Sequence, residues 1–213
     1  MTNATEIREI YTRRYNPVLV PLATRISDHL QDLLSSTPRI DRVSGRAKSI
    51  DRFVIKATTT KGGVQKYNDP LSEIQDQIGV RVITFYLSDV QNVADIINTY
   101  YRSIEQRKVS PERETEFSYF GLHYVLLIPT ELILPSYPKG DVPEFFELQI
   151  KTLFQHAWSE AEHDLGYKPG ATPLSPDQKR LMAFTSAQAW GADRIFNELF
   201  ISRDEQSSKA QSS

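Results

Sequence analysis

Apolar residues along this chain follow two spacings, and the switches between them outline its elements. Val18, Leu22, Ile26, Leu30 and Leu33 hold helical spacing, so the pattern predicts a helix from Val18 to Leu34. A shorter helical start covers residues 4–14, and Asn16-Pro17 is expected to interrupt it. Ser35 to Pro38 reads as a stop. Ile40 to Lys48 then reads as a strand entering a turn, and Ser49 to Ala57 as a short amphipathic helix. A polar loop with Gly62-Gly63 follows over residues 58–70, then a short helix from Leu71 to Gln77. Ile78 to Tyr86 is a nearly continuous apolar run, the mark of a buried strand.

The second half repeats these alternations. Ser88 to Ser103 reads as a helix with Ser88 as its cap and Val90, Val93, Ile96, Ile97 and Tyr100 turned inward. Gln106 to Glu116 is charged, with Val109 as its one apolar anchor, and reads as a loop. Phe117 to Ile128 reads as a strand that places Tyr119, Gly121, His123 and Val125 on one face. A loop with four prolines runs from Pro129 to Pro143. Phe146, Leu148 and Ile150 then alternate with Glu147, Gln149 and Lys151, which is strand spacing. A helix follows at once, with Leu153, Ala157, Ala161 and Leu165 as its expected buried stripe and Gly166 as its stop. Ser175 to Ile201 closes the chain as one long helix with Pro176 in its first turn. Its apolar residues Leu181, Phe184, Ala187, Trp190, Ile195 and Leu199 would pack on the body or on another subunit. Residues 202–213 are polar and are expected to be disordered.

Composition narrows the function classes. The chain has 213 residues, enough for one domain with a substantial core. Its net charge of −2 implies no whole-molecule attraction to nucleic acid. With no cysteine there is neither a disulfide nor a thiolate metal site. No apolar run approaches a membrane span, and the charged start lacks a secretory core, so a cytoplasmic protein with no membrane partner is expected.

Candidate chemistry gathers in four places. Arg42, Arg46, Lys48, Arg52 and Lys56 form a basic segment, with Arg52 and Lys56 one helical turn apart. Such a segment is either a polyphosphate clamp or a solvated basic face. Asp76 stands just ahead of a buried strand that contains Arg81. Tyr119 and His123 share a strand face that could hold a stacked base and a phosphate or ribose. Glu147 sits on a strand beside a helix carrying His156, Glu160 and His163 at i, i+4 and i+7. That triplet does not form HExxH, and hydrogen bonding near Glu147 is the expected role.

These segments together resemble the synthetase domain of RelA/SpoT-type alarmone synthetases over roughly residues 40–168. Gly45-Arg46-x-Lys48 with Lys56 resembles the family's G-R-x-K…K segment, and Asp76-x-x-Gly79-x-Arg81 its D-x-x-[GA]-x-R strand entry. Tyr119-x-x-x-His123 resembles G-Y-x-S-x-H, and Glu147-x-Gln149-Ile150-Lys151-Thr152 resembles E-x-Q-I-R-T. Trp158, Glu162-His163 and Tyr167-Lys168 resemble the W-x-x-x-E-H…Y-K that follows. The motifs come in the family's order. The resemblance implies an α/β (α+β) fold, a nucleotidyltransferase-like mixed sheet of about five strands flanked by helices. It divides the chain into a helical segment (1–39), the core (40–168), a C-terminal helix (169–203) and a tail (204–213).

The resemblance also implies an activity. A diphosphate would move from ATP to the 3′-hydroxyl of GDP or GTP to make (p)ppGpp, the stringent-response nucleotide, with Mg²⁺ as cofactor. Arg46, Lys48, Arg52, Lys56 and Arg81 would hold ATP and its phosphates. Asp76 and Glu147 would be the catalytic and metal-binding acids, with Glu147 as ligand or base. Tyr119, His123, Lys108 and Gln149 would bind the acceptor. No histidine-aspartate pair of the hydrolase type is found among His29, His123, His156 and His163, so the chain is similar to the small single-domain synthetases.

Departures fall at the acceptor. The family's K-x-N-G-Y becomes Thr115-x-Phe117-Ser118-Tyr119 here, with Glu112, Glu114 and Glu116 nearby. Arg52 adds a cation where a serine is usual. A toxin-like relative that modifies the tRNA 3′ end or an adenine nucleotide therefore stands as the alternative, with tRNA and an antitoxin as its partners. A non-catalytic nucleotide- or RNA-binding module stands behind both. The long C-terminal helix could serve a homo-oligomer.

Overall fold

A computed structural model describes residues 3–111, 113, 116–118, 120–166 and 173–211. Five strands form one mixed sheet in the order β1-β4-β7-β6-β5. They are β1 (Ile40–Ala47), β4 (Ile78–Thr84), β5 (Ser103–Val109), β6 (Gly121–Leu127) and β7 (Phe145–Thr152). β4 and β7 run parallel at the centre, and the other neighbours are antiparallel. A small hairpin, β2 (Thr60–Lys61) with β3 (Val64–Gln65), stands apart. Gly62 and Gly63 at its tip both take positive φ, as a two-residue hairpin turn requires. The segment expected to be an irregular loop is thus an ordered hairpin.

Alternation along the strands gives the sheet one apolar and one polar face. Val80, Val82, Leu126, Phe146, Leu148 and Ile150 are fully buried on the apolar side. Helices α1 (Ala4–Arg14), α2 (Val20–Leu33) and α5 (Leu87–Tyr100) join that core through residues including Tyr11, Leu22, Ile26, Leu30, Val93 and Ile97. Asn16-Pro17 does not separate α1 from α2. A π-helical turn, Tyr15–Leu19, carries the chain through the proline. α2 lies so close to β1 that a Cβ on Gly45 would come within 2.5 Å of the Ala23 carbonyl oxygen. Tyr100 is exposed, and Tyr101 takes the buried place beside the core.

Three expectations about the second half change. Gln106 to Val109 belongs to a strand rather than a loop, because β5 is an edge strand whose charged residues face solvent or the polar face. On α6 (Leu153–Gly166) Ala157, Ala161 and Leu165 are exposed, and Ser159 is the buried residue. α6 leans its polar edge on the sheet instead: Lys151 donates to Ser159 Oγ at 3.1 Å, and Arg81 pairs with Glu160. A hydrogen bond from buried Lys151 and an ion pair with partly exposed Arg81 outweigh a thin stripe of alanines. The last helix, α7 (Pro176–Gln211), continues into the segment expected to be disordered. Leu181, Phe184, Ile195 and Leu199 on α7 stay exposed in the single chain.

α7 is anchored by a buried acid. Asp193 is 3 % exposed, and Thr152 Oγ1 donates to its Oδ2 at 2.8 Å. Burial pushes its carboxyl up to about 6. The folded state therefore binds a proton that the unfolded chain releases, so stability falls as pH rises from about 4 to about 6 and stays lower above that window. Asp193→Asn is expected to stabilise the fold by on the order of 2 kcal/mol at neutral pH and to be near neutral in effect below about pH 4. Thermal unfolding at the two pH values measures the difference. An equal shift at both would remove Asp193 from the pH dependence.

Candidate active site

Strand register lines up the candidate residues in two rows across the polar face. Ser44, Arg81, Gln149, His123 and Arg107 are successive cross-strand neighbours. Arg46, Gly79, Glu147, Val125 and Glu105 form the next row. Two hollows open over these rows. The first, about 630 Å³, is lined by Arg46, Lys48, Arg52 and Arg81. The second, about 260 Å³, is lined by Lys56, Lys66, Tyr67, Arg107 and His123. Asp76 and Glu147 line both. The two acids therefore stand on one side of the sheet, where the hollows meet.

Each acid is held differently. Asp76 lies in the 3-10 turn Gln75–Gln77 that leads into β4. Its Oδ2 accepts from both Lys48 Nζ and Lys56 Nζ at 2.9 Å, from a loop and from α3 (Ile50–Ala57). Its Oδ1 is buried without a hydrogen-bond partner. Glu147 Oε1 lies 3.1 Å from His123 Nδ1, and Gln149 Nε2 donates to Oε2 at 2.9 Å. Burial alone would raise the Glu147 carboxyl, but His123, Gln149 and the charge of Lys56 outweigh it and hold the group below the usual range. Glu147 is thus ionised at neutral pH.

The cations are crowded. Burial first, then Arg81 beside it, draws the Arg46 guanidinium below its ordinary value. Lys151, 2 % exposed, is pushed down to about 7 by burial and by Arg81. Positive groups packed together this way favour a polyanion, which would supply the missing counter-charge.

A divalent cation of the magnesium type suits the donor set. Such an ion needs one or two carboxylates and completes its shell with phosphate oxygens and water. The buried, unbonded Oδ1 of Asp76 beside Glu147 meets that requirement. Among the described residues no group of three or more histidine or acidic side chains converges, so a cage built wholly from protein is not what this site provides. Of the His156–Glu160–His163 triplet, Glu160 pairs with Arg81, which lines the first hollow together with Glu147.

Two acceptor candidates lie outside the second hollow. Lys108 pairs with Leu122, so alternation turns it to the opposite face, into a separate hollow with Trp158 and Trp190. Arg107, one residue earlier, is the β5 cation that faces His123. Gln149 lines the first hollow and braces Glu147 rather than lining the second. Tyr119 lies outside the described residues, as do Glu112, Glu114, Thr115, Tyr167 and Lys168. Sequence reasoning missed Glu105, Arg107, Lys66 and Tyr67. The period-two alternation of Ser103, Glu105 and Arg107 was the available signal, and the lack of buried partners hid it.

Comparison with known proteins gives the family and the fold. The family described as the region found in RelA / SpoT proteins matches residues 45–172. GTP pyrophosphokinase YjbM of Bacillus subtilis (strain 168) is 28% identical over 171 residues, covering 78% of this chain and 73% of that protein. A GTP pyrophosphokinase family protein from Streptococcus pneumoniae has a similar fold, with a TM-score of 0.69 at 24% identity over 89% of this chain and 91% of that one. Small alarmone synthetase 1 from Bacillus subtilis, solved bound to its product pppGpp, superposes with a TM-score of 0.64 at 22% identity over 92% of this chain and 95% of that one. Among the described residues no helix is long and apolar enough to cross a membrane. The family match spans more than half of the chain and contains both acids and the cations around them, so this protein belongs to the RelA/SpoT family.

Proposed function

We propose that this protein is a GTP diphosphokinase-type enzyme that moves the β,γ-diphosphate of ATP to the 3′-hydroxyl of GDP or GTP. One observation carries the reading: Asp76 and Glu147 belong to the walls of two adjoining hollows, one rich in cations and one containing His123. A transferase between two phosphorylated nucleotides needs that arrangement, because the reacting phosphorus must lie between donor and acceptor. The relatives named GTP pyrophosphokinase and the neighbour bound to pppGpp support the same assignment.

ATP occupies the first hollow in this reading, with Arg46, Lys48, Arg52 and Arg81 around its phosphates and adenosine. The acceptor occupies the second, where His123, Arg107 and Lys66 meet its phosphates. The acceptor 3′-oxygen forms a bond to the β-phosphorus, the bond from that phosphorus to the α,β-bridging oxygen breaks, and AMP leaves. Glu147 orients the hydroxyl and takes its proton. Lys48 and Lys56 neutralise charge that builds on the transferring group. Asp76 and Glu147 would hold Mg²⁺, which supplies Lewis-acid stabilisation of phosphate charge when bound.

Labelled transfer tests the proposal directly. Protein is incubated with ATP labelled in its β- and γ-phosphates, Mg²⁺ and, separately, GDP, GTP, GMP, ADP or deacylated tRNA. Label is expected on GDP and GTP. Label only on tRNA or ADP would replace this acceptor assignment with the toxin-like one. ATP binding with no transfer to any acceptor would leave a nucleotide-binding module.

A further inference from the structure

The turn that carries Asp76 is held from outside the matched region, by a helix at the start of the chain. Arg14 at the end of α1 is 2 % exposed, and its Nη2 donates to Gln77 Oε1. Gln77 is the residue after Asp76 and is itself buried. Its Nε2 donates to the carbonyls of Leu71 at 2.7 Å and Ile74 at 3.0 Å, so both ends of the amide are used. A second arm reaches Lys48. Tyr11, fully buried and stacked on Phe53 at 3.8 Å, donates its hydroxyl hydrogen to the Lys48 carbonyl at 2.8 Å. The Lys48 N–H donates to the Gln77 carbonyl at 2.8 Å, which closes the network.

A buried guanidinium is an expensive way to fill a core. An apolar side chain would pack against the Tyr11 ring, 5.2 Å from the guanidinium carbon, at lower cost. What Arg14 adds is direction: it fixes one amide, and that amide fixes the backbone next to Asp76. Asp76 departs from helical geometry inside its turn (φ −93°, ψ 33°), so its orientation depends on such support. The π-turn at Tyr15–Leu19 has a role here. It changes the helical register between α1 and α2, so α1 turns Tyr11 and Arg14 toward the site while α2 turns Leu22, Ile26 and Leu30 toward the sheet.

We propose that Arg14, acting through Gln77, and Tyr11, acting through Lys48, are positioning residues that set the Asp76 carboxylate for a divalent cation. The inference rests on the reading of Asp76 as a metal ligand. Mn²⁺ binding, followed by the electron paramagnetic resonance of the free ion with a non-hydrolysable ATP analogue present, tests it without turnover. Parent, Arg14→Met, Arg14→Lys, Tyr11→Phe and Asp76→Asn are compared, with thermal unfolding to establish that each folds. Arg14→Met is expected to weaken Mn²⁺ binding about tenfold, as losses of residues supporting a metal ligand do, and Arg14→Lys to recover part of it. The Mg²⁺ concentration for half-maximal transfer should rise in parallel, while the ATP Michaelis constant at saturating metal stays close to the parent's.

Tyr11→Phe keeps the core volume and removes one hydrogen bond. It is expected to weaken Mn²⁺ binding about threefold, and it carries the test should Arg14→Met fail to fold. Parent-like Mn²⁺ affinity in folded Arg14→Met, or in Tyr11→Phe where that is the variant that folds, overturns the proposal. Should Asp76→Asn keep the parent's affinity, the metal-ligand reading falls and the bracing role falls with it. Loss of metal in Asp76→Asn alone would overturn only the bracing role.

Discussion

Glu147→Gln is expected to lower the rate of diphosphate transfer by on the order of a thousandfold, the scale of losing a general base or a charge-stabilising group. The amide matches the carboxylate in size and can still accept from a neighbour, so the fold should remain. What disappears is the charge that His123, Gln149 and Lys56 hold ionised. Asp76→Asn should cost as much for a different reason. Lys48 and Lys56 both bond to its Oδ2, and an amide leaves the two ammonium groups without their counter-charge. ATP binding without metal should then hold or tighten, because the uncompensated lysines attract phosphate, while metal binding weakens. Rapid-quench measurement of label transfer, with ATP titrations alongside, separates these effects. Full activity in either variant would remove that acid from the mechanism.

The second large effect concerns stability. Gly45→Ala is expected to destabilise the protein by about 3 kcal/mol, because the added methyl group meets the backbone of α2 rather than a yielding side chain. The Ala23 carbonyl would stand 2.5 Å from it and Ser27 Cβ 3.0 Å. Arg46→Ala, one residue on, should leave the unfolding midpoint nearly unchanged and weaken ATP binding, since Arg46 is an exposed residue in the wall of the first hollow. Urea unfolding and ATP titration of the two variants should give opposite patterns. A Gly45→Ala protein with the parent's midpoint would mean that α2 can retreat from β1 without penalty.

That pair shows what the chain reveals by inspection and what it does not. Alternation of Phe146, Leu148 and Ile150 with Glu147 and Gln149 is enough to find β7 and the side on which Glu147 stands. The order of short motifs joins Asp76, Arg81 and the basic segment to it. Yet Gly45 looks like part of a nucleotide motif, and its tight constraint comes from a helix twenty residues earlier. β5 has no buried face to impose a pattern, so the sequence does not mark its parity: Lys108, expected from its spacing in the family's loop, faces away, and Arg107 faces the site. The alanines of α6 have too little surface to decide how that helix lies, and a hydrogen bond from nearby Lys151 and an ion pair with distant Arg81 decide it instead. Arg14 and Gln77 meet across the fold with no local signal at all.

The central position of β7 has a consequence during synthesis. β4 and β6 both precede β7 in the chain, and each has an open edge until the strand that slots between them is made. Until it arrives, Asp76 has emerged and Glu147 has not, so the two acids proposed to act together cannot yet meet. Long-range parallel pairing is also the slow kind of strand assembly. The waiting edges are therefore where a stalled or truncated chain would stick to its neighbours.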